Sequence, residues 1–149
     1  MIRTAPLAAA LALCLAHTFA QAQATPAGLW KSVDDETKKE KSLIRITEAG
    51  GVFNGKIEKL LDPDTKPDVA CEKCSDERKD KPILGMTIIK GVKAGGEPGR
   101  FEGGEILDPN NGKTYKVRMT PTDGGKKMDV RGYIGTPMLG RTQTWLRVE

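Results

Sequence analysis

The sequence predicts an all-β chain folded as an up-and-down antiparallel barrel of about eight strands. Three observations carry that reading. Gly and Pro punctuate the chain at short intervals beyond residue 24. The runs between them alternate apolar and polar residues, as a strand with one buried face must. No run carries a long apolar stripe of helical period closed by caps, although an ordinary domain is about one-third helix.

The strands follow in order. The first spans 28–33 and ends in the polar turn Asp34-Asp35-Glu36. The second, 42–47, sets Ile44 and Ile46 on one face, and Gly50-Gly51 turns the chain. The third, 52–61, places Phe53, Gly55 and Ile57 together, and its alternation slips near Lys59, as at a bulge. The fourth spans 83–92, and Glu97-Pro98-Gly99 leads into the fifth, 100–107. Asn111-Gly112 reads as a two-residue hairpin, because both residues tolerate the positive φ of a type I′ turn. The sixth strand, 114–120, aligns Tyr115, Val117 and Met119. Asp123-Gly124-Gly125 turns into the seventh, 128–135, and the eighth is 142–148.

One connection breaks the rhythm. Residues 62–82 are rich in charge and Pro and hold Cys71 and Cys74. Elsewhere the links are tight, which favours a meander closed on itself without exposed edges. A closed barrel of this size has room inside for side chains or one small ligand.

Residues 1–24 follow the pattern of a cleaved secretory signal peptide. Arg3 supplies the positive start, residues 5–16 are almost wholly Ala and Leu, and Ala20-Gln21-Ala22 and Ala22-Gln23-Ala24 are overlapping cleavage signals. The apolar run is too short to span a bilayer, which takes about 20 residues. Leu11-Ala12-Leu13-Cys14 loosely resembles a lipid-attachment motif, but Leu13 is not the small residue such a motif requires. The expectation is a periplasmic protein of one domain, residues 25–149, with no stable membrane insertion.

The only histidine, His17, lies in that leader. Without it the chain has no Ser-His-Asp or Cys-His nucleophile system and no imidazole metal site. The charges interleave in sign, as in Lys38-Lys39-Glu40-Lys41 and Glu77-Arg78-Lys79-Asp80. Nucleic-acid binding calls instead for a clustered basic stripe with stacking aromatics. Cys71-Glu72-Lys73-Cys74 lacks the His of a haem-attachment motif, since Ser75 follows, and zinc would need further ligands. In an oxidising compartment a local Cys71–Cys74 disulfide is the default. No cofactor and no metal site are expected. Asp108-Pro109-Asn110-Asn111-Gly112 lacks the distal Glu of a calcium loop.

Arg131, Tyr133, Arg141, Gln143 and Trp145 cluster in the last two strands and their turn. Alternation puts Arg131 with Tyr133, and Gln143 with Trp145 and Arg147. Facing inward, they would make a polar, Arg-bearing lining suited to an anionic or amphipathic ligand; facing outward, they would be solvated.

Gly28-Leu29-Trp30 opens the first strand and Arg147 stands in the last, resembling lipocalin-like barrels, in which such a Trp plugs the base beneath an Arg. A larger set runs through Asp34-Asp35, Asn54-Gly55-Lys56-Ile57, Lys81-Pro82-Ile83-Leu84-Gly85-Met86 and Gly103-Gly104-Glu105-Ile106-Leu107-Asp108-Pro109. It continues through Asn111-Gly112-Lys113-Thr114-Tyr115, Arg131-Gly132-Tyr133-Ile134-Gly135 and Gly140-Arg141-Thr142-Gln143-Thr144-Trp145-Leu146-Arg147-Val148. Together they closely resemble domain of unknown function 2147, an uncharacterised family of exported bacterial proteins. Phe101 departs from the family pattern, which is associated with a Trp there. The resemblance implies a lipocalin-like barrel and brings no catalytic residues.

Three functions are compatible with these residues. The favoured one is a barrel binding a small amphipathic or lipid-like ligand. The second is an envelope structural or protein-interaction factor, with 62–82 as the contact. The third, an enzyme working without histidine, is the least supported, and the chain is read as non-enzymatic.

Overall fold

The structure is a computed structural model that describes residues 24–149. Residues 1–23, and with them most of the signal-peptide reading, lie outside the described residues. Eight strands close into one antiparallel barrel in sequence order. They are β1 Gly28–Val33, β2 Glu40–Ala49, β3 Val52–Leu60, β4 Thr87–Ala94, β5 Phe101–Asp108, β6 Lys113–Thr122, β7 Lys127–Tyr133 and β8 Gly140–Arg147. The all-β, lipocalin-like barrel expected from the sequence is therefore what the chain forms.

Alternation sets the two faces. Trp30 and Ser32, Ile44 and Ile46, Phe53 and Ile57, Val117 and Met119, and Met128 and Val130 are all buried. The bulge expected near Lys59 falls at Glu58, because Ile44 pairs with Ile57 while Leu43 pairs with Lys59. That extra residue lets β3 curve around the barrel.

Two local readings are corrected. The fourth strand begins at Thr87, not at residue 83. Gly85 takes φ +85°, which ends any extended run there, and its N–H binds the Ile57 carbonyl at 2.8 Å. Ile83 instead joins the long connection, donating to the Val69 carbonyl. Asn111-Gly112 is not a two-residue hairpin. Asp108 pairs with Lys113, so the loop is Pro109-Asn110-Asn111-Gly112, closed by the Gly112 N–H on the Asp108 carbonyl at 2.8 Å. Gly112 has φ +72°, and a Cβ there would collide with the Lys73 carbonyl, so this loop is pressed against the cysteine segment.

The large side chains fill one end. Phe53 meets Phe101 edge-to-face with ring centroids 5.2 Å apart. Trp30 is fully buried and donates its indole N–H to the Pro26 carbonyl at 2.7 Å. The Arg147 guanidinium lies over that indole, 4.2 Å from its centroid. It also donates to the carbonyls of Thr25, Ala27 and Gly125. One cation thus covers the aromatic plug and ties down the first residues of the barrel and the β6–β7 turn.

Trp30→Ala should lower the unfolding free energy by about 3–5 kcal/mol, the usual cost of emptying a large aromatic site. Arg147→Lys should cost about 1–2 kcal/mol, since a lysine cannot fan three bonds while stacking. Urea unfolding followed by circular dichroism measures both.

Candidate functional site

The β1–β2, β3–β4, β5–β6 and β7–β8 connections all lie at the end of the barrel opposite Trp30. There a cavity of about 390 Å³ enters the barrel. Its inner wall is apolar. Ile44, Ile57, Ile88, Leu107, Val130 and Trp145 line it and are almost completely buried. Two features interrupt that wall. The hydroxyls of Ser32 and Ser42 bond to each other at 2.9 Å, and the Gln143 side-chain oxygen accepts the Trp145 indole N–H at 3.0 Å. Gly132 presents no side chain where β7 meets the cavity.

Aspartates dominate the mouth. Asp34, Asp35, Asp62 and Asp108 line it together with Lys41 and Arg141, and Tyr115 and Tyr133 stand there too. Arg141 reaches from the start of β8 to grip Asp35 with two nitrogens, at 2.6 and 3.2 Å, and lies 3.3 Å from Glu36. The Asp35 hydrogen bond raises the Arg141 pKa. Lys41 pairs with Asp62 at 3.0 Å and holds that carboxyl below its ordinary range. Asp34 is also lowered, first by the Thr37 N–H bonded to it.

The residues singled out in the sequence separate. Arg141, Gln143 and Trp145 line the cavity, and Tyr133 joins them at the rim as the last residue of β7. Arg131 does not. Met128, Val130 and Gly132 take the inner positions of β7, so Arg131 turns outward and donates to the Pro137 carbonyl and the Thr142 hydroxyl at 2.6 and 2.7 Å. The Arg-bearing lining shrinks to one arginine, already neutralised by carboxylates. Trp30 and Arg147 lie at the closed end. Ser32 and Ser42 escaped the sequence reading, because a small polar residue inside an apolar alternation carries no distinctive signal. Only their parity with Trp30 and Ile44 marks them.

The long connection covers part of the mouth. Thr65, Val69 and Ile83 line the cavity from it. Ala70 and Pro82 form a β-bridge, and Cys71 and Cys74 form a disulfide with Cα atoms 5.4 Å apart, both sulfurs' residues buried. Arg78, only 8% exposed, anchors this segment to the Thr87 carbonyl at 3.0 Å while chelating Asp76. The Arg78 hydrogen bonds hold Asp76 down at about 2. Outside the barrel, a shallower depression of about 490 Å³ lies between this segment and β4. Among the described residues no cluster of three or more His, Cys, Asp or Glu is placed to hold a metal. No described helix is long and apolar enough to cross a membrane.

The family described as "Uncharacterized protein conserved in bacteria (DUF2147)" matches residues 28–147, from the first barrel strand to the last. The chain belongs to this family. The DUF2147 chain also resembles a solved structure, protein HP1028 from the human pathogen Helicobacter pylori, described as belonging to the lipocalin family. The TM-score is 0.71 at 19% identity over 85% of each chain. At that identity the likeness establishes the barrel fold alone. No curated protein matches the sequence.

Replacing Cys71 and Cys74 together by Ala should cost about 2 kcal/mol, the loop-entropy value for so short a ring. Hydrogen exchange should rise in residues 69–83 and stay unchanged around Trp30. Asp76 should titrate by NMR near 2 rather than its ordinary 3.8. A lowered carboxyl stabilises above the unfolded pKa, so this contribution is present above pH 3.8 and is lost as pH falls through about 2. Arg78→Gln should return that midpoint toward 3.8.

Proposed function

We propose that this DUF2147 protein is exported to the periplasm and there binds one small amphipathic, lipid-like molecule inside its barrel. One observation carries the binding half of the reading. The barrel holds a cavity with a buried apolar wall and a charged mouth. A well-packed interior leaves few voids larger than a water molecule, so a cavity of this size is a built feature. An apolar chain would bury against Ile57, Ile88 and Leu107, and a polar head would remain among the carboxylates at the rim. Export rests on the leader sequence, with Arg3 before the apolar run and small residues at the cleavage signals.

Binding without catalysis fits the residues at hand. The sole histidine is in the leader, and two of the mouth aspartates, Asp35 and Asp62, are held in ion pairs. The second reading, an envelope interaction factor, is favoured by a different observation. In the β7–β8 turn Met138 is 88% exposed, beside Ile134 and Leu139, which are 62% and 77% exposed and also line the cavity, an apolar tip that a protein partner would cover.

Native mass spectrometry on protein purified from the periplasm separates the two readings. Ligand binding predicts a reproducible added mass that denaturation removes. Gly132→Val should weaken it without unfolding the barrel. A Cβ at Gly132 would sit 3.5 Å from the Tyr115 Cβ, at ordinary contact, and further atoms would enter the cavity. Overpacking of this kind should weaken binding about tenfold or more. A bare mass in both proteins would favour the interaction factor.

A further inference from the structure

The charged groups at the mouth are not evenly spent. Both cations lining it are consumed, Lys41 on Asp62 and Arg141 on Asp35 and Glu36. Two lining carboxylates, Asp34 and Asp108, form no ion pair within 4 Å among the described residues. Each uses one oxygen to close its own turn. Asp34 Oδ1 accepts from the N–H groups of Glu36 and Thr37 and from the Thr37 hydroxyl, and Asp108 Oδ1 accepts from the Asn110 N–H at 2.9 Å. Among the described residues, nothing donates to the second oxygen of either.

An independent feature points the same way. Both tyrosines of the chain and one of its two tryptophans line this one cavity. Aromatic faces beside unpaired carboxylates attract a desolvated cation through the ring quadrupole and through charge together. An anionic head would meet the same two carboxylates as like charges, and both cations among the lining residues are already paired.

We propose that the cavity selects an amphiphile with a cationic head, an alkylammonium or alkylguanidinium, and discriminates against alkyl carboxylates and phosphates. The proposal rests on the cavity being a ligand site and adds the chemistry of the head group. The apolar chain occupies the interior between Ile57 and Leu107. The head sits at the rim beside the free oxygens of Asp34 and Asp108, with Tyr115 offering a ring face.

The test uses three probes of equal chain length, decyltrimethylammonium, decanoate and decanol, titrated into the full mature protein at pH 7.5 and low salt. Calorimetry and quenching of Trp145 fluorescence report binding. Decyltrimethylammonium should bind about tenfold more tightly than decanoate, the scale of one exposed ion pair plus one cation–π contact. Added salt should shrink that ratio. The double variant Asp34→Asn, Asp108→Asn keeps an oxygen to close each turn, and should bring the ratio close to one while leaving decanol unaffected. Decanoate binding as tightly as the cation in the unmodified protein, or a preference that survives the double variant, would overturn the head-group assignment and leave the cavity as a ligand site. Failure of all three probes to bind would overturn both.

Discussion

The barrel exists because β1 meets β8, and that seam is short. Only Trp30 with Arg147 and Lys31 with Leu146 pair across it, whereas β1 and β2 pair over the whole of β1. The seam is reinforced at its lower end by Leu29 donating to the Glu149 carbonyl at 2.7 Å and by Val148 donating to the Leu29 carbonyl at 2.8 Å. It sits where Arg147 stacks on Trp30 and binds three backbone carbonyls. Packing and hydrogen bonding therefore concentrate at one end, where a buried indole plug and a multiply bonded guanidinium do what a longer ladder would do elsewhere. Without this seam, β1 and β8 would be free edges, open to pairing with other chains.

The short seam also explains the open end. Beyond Lys31 and Leu146 the two strands no longer pair. The gap is spanned by side chains, with Arg141 at the start of β8 holding Asp35 just past the end of β1. Side-chain size completes the taper. Trp30, Phe53, Phe101, Met119 and Met128 crowd the closed end, while Ser32, Ser42 and Gly132 stand nearer the mouth. A fold that fills one end to core density and thins its side chains toward the other leaves an enclosed space by construction. What occupies that space is a property of the site and not of the fold, so the likeness to a lipocalin structure carries the barrel but no ligand.

Much of the fold was legible because alternation is a strong signal where one face is buried. Phe53, Gly55 and Ile57, or Tyr115, Val117 and Met119, could be grouped without coordinates. The signal failed where tertiary contacts overrode it. Ile83 and Met86 look like strand residues, yet they fold into the long connection because Gly85 takes a left-handed conformation and docks on Ile57. Asn111-Gly112 looks like a minimal hairpin, yet the loop is wider because it must seat against Lys73 and Cys74. The site was legible only in part. Arg141, Gln143 and Trp145 could be named, but Arg131 could not be separated from them, since parity within β7 tells which residues share a face and not which face looks inward.

By itself, the sequence determined the number and order of the strands, most of the turn residues between them and the absence of histidine outside the leader. These depend on local pattern and composition, which a linear chain displays in full. The tertiary structure alone decided which faces point inward, which of the mouth's charges neutralise one another and where room remains. Arg141 and Asp35 stand 106 residues apart in the chain. Whether Arg141 is free or spent depends on the closure that brings β8 back beside β1, and no local pattern records it.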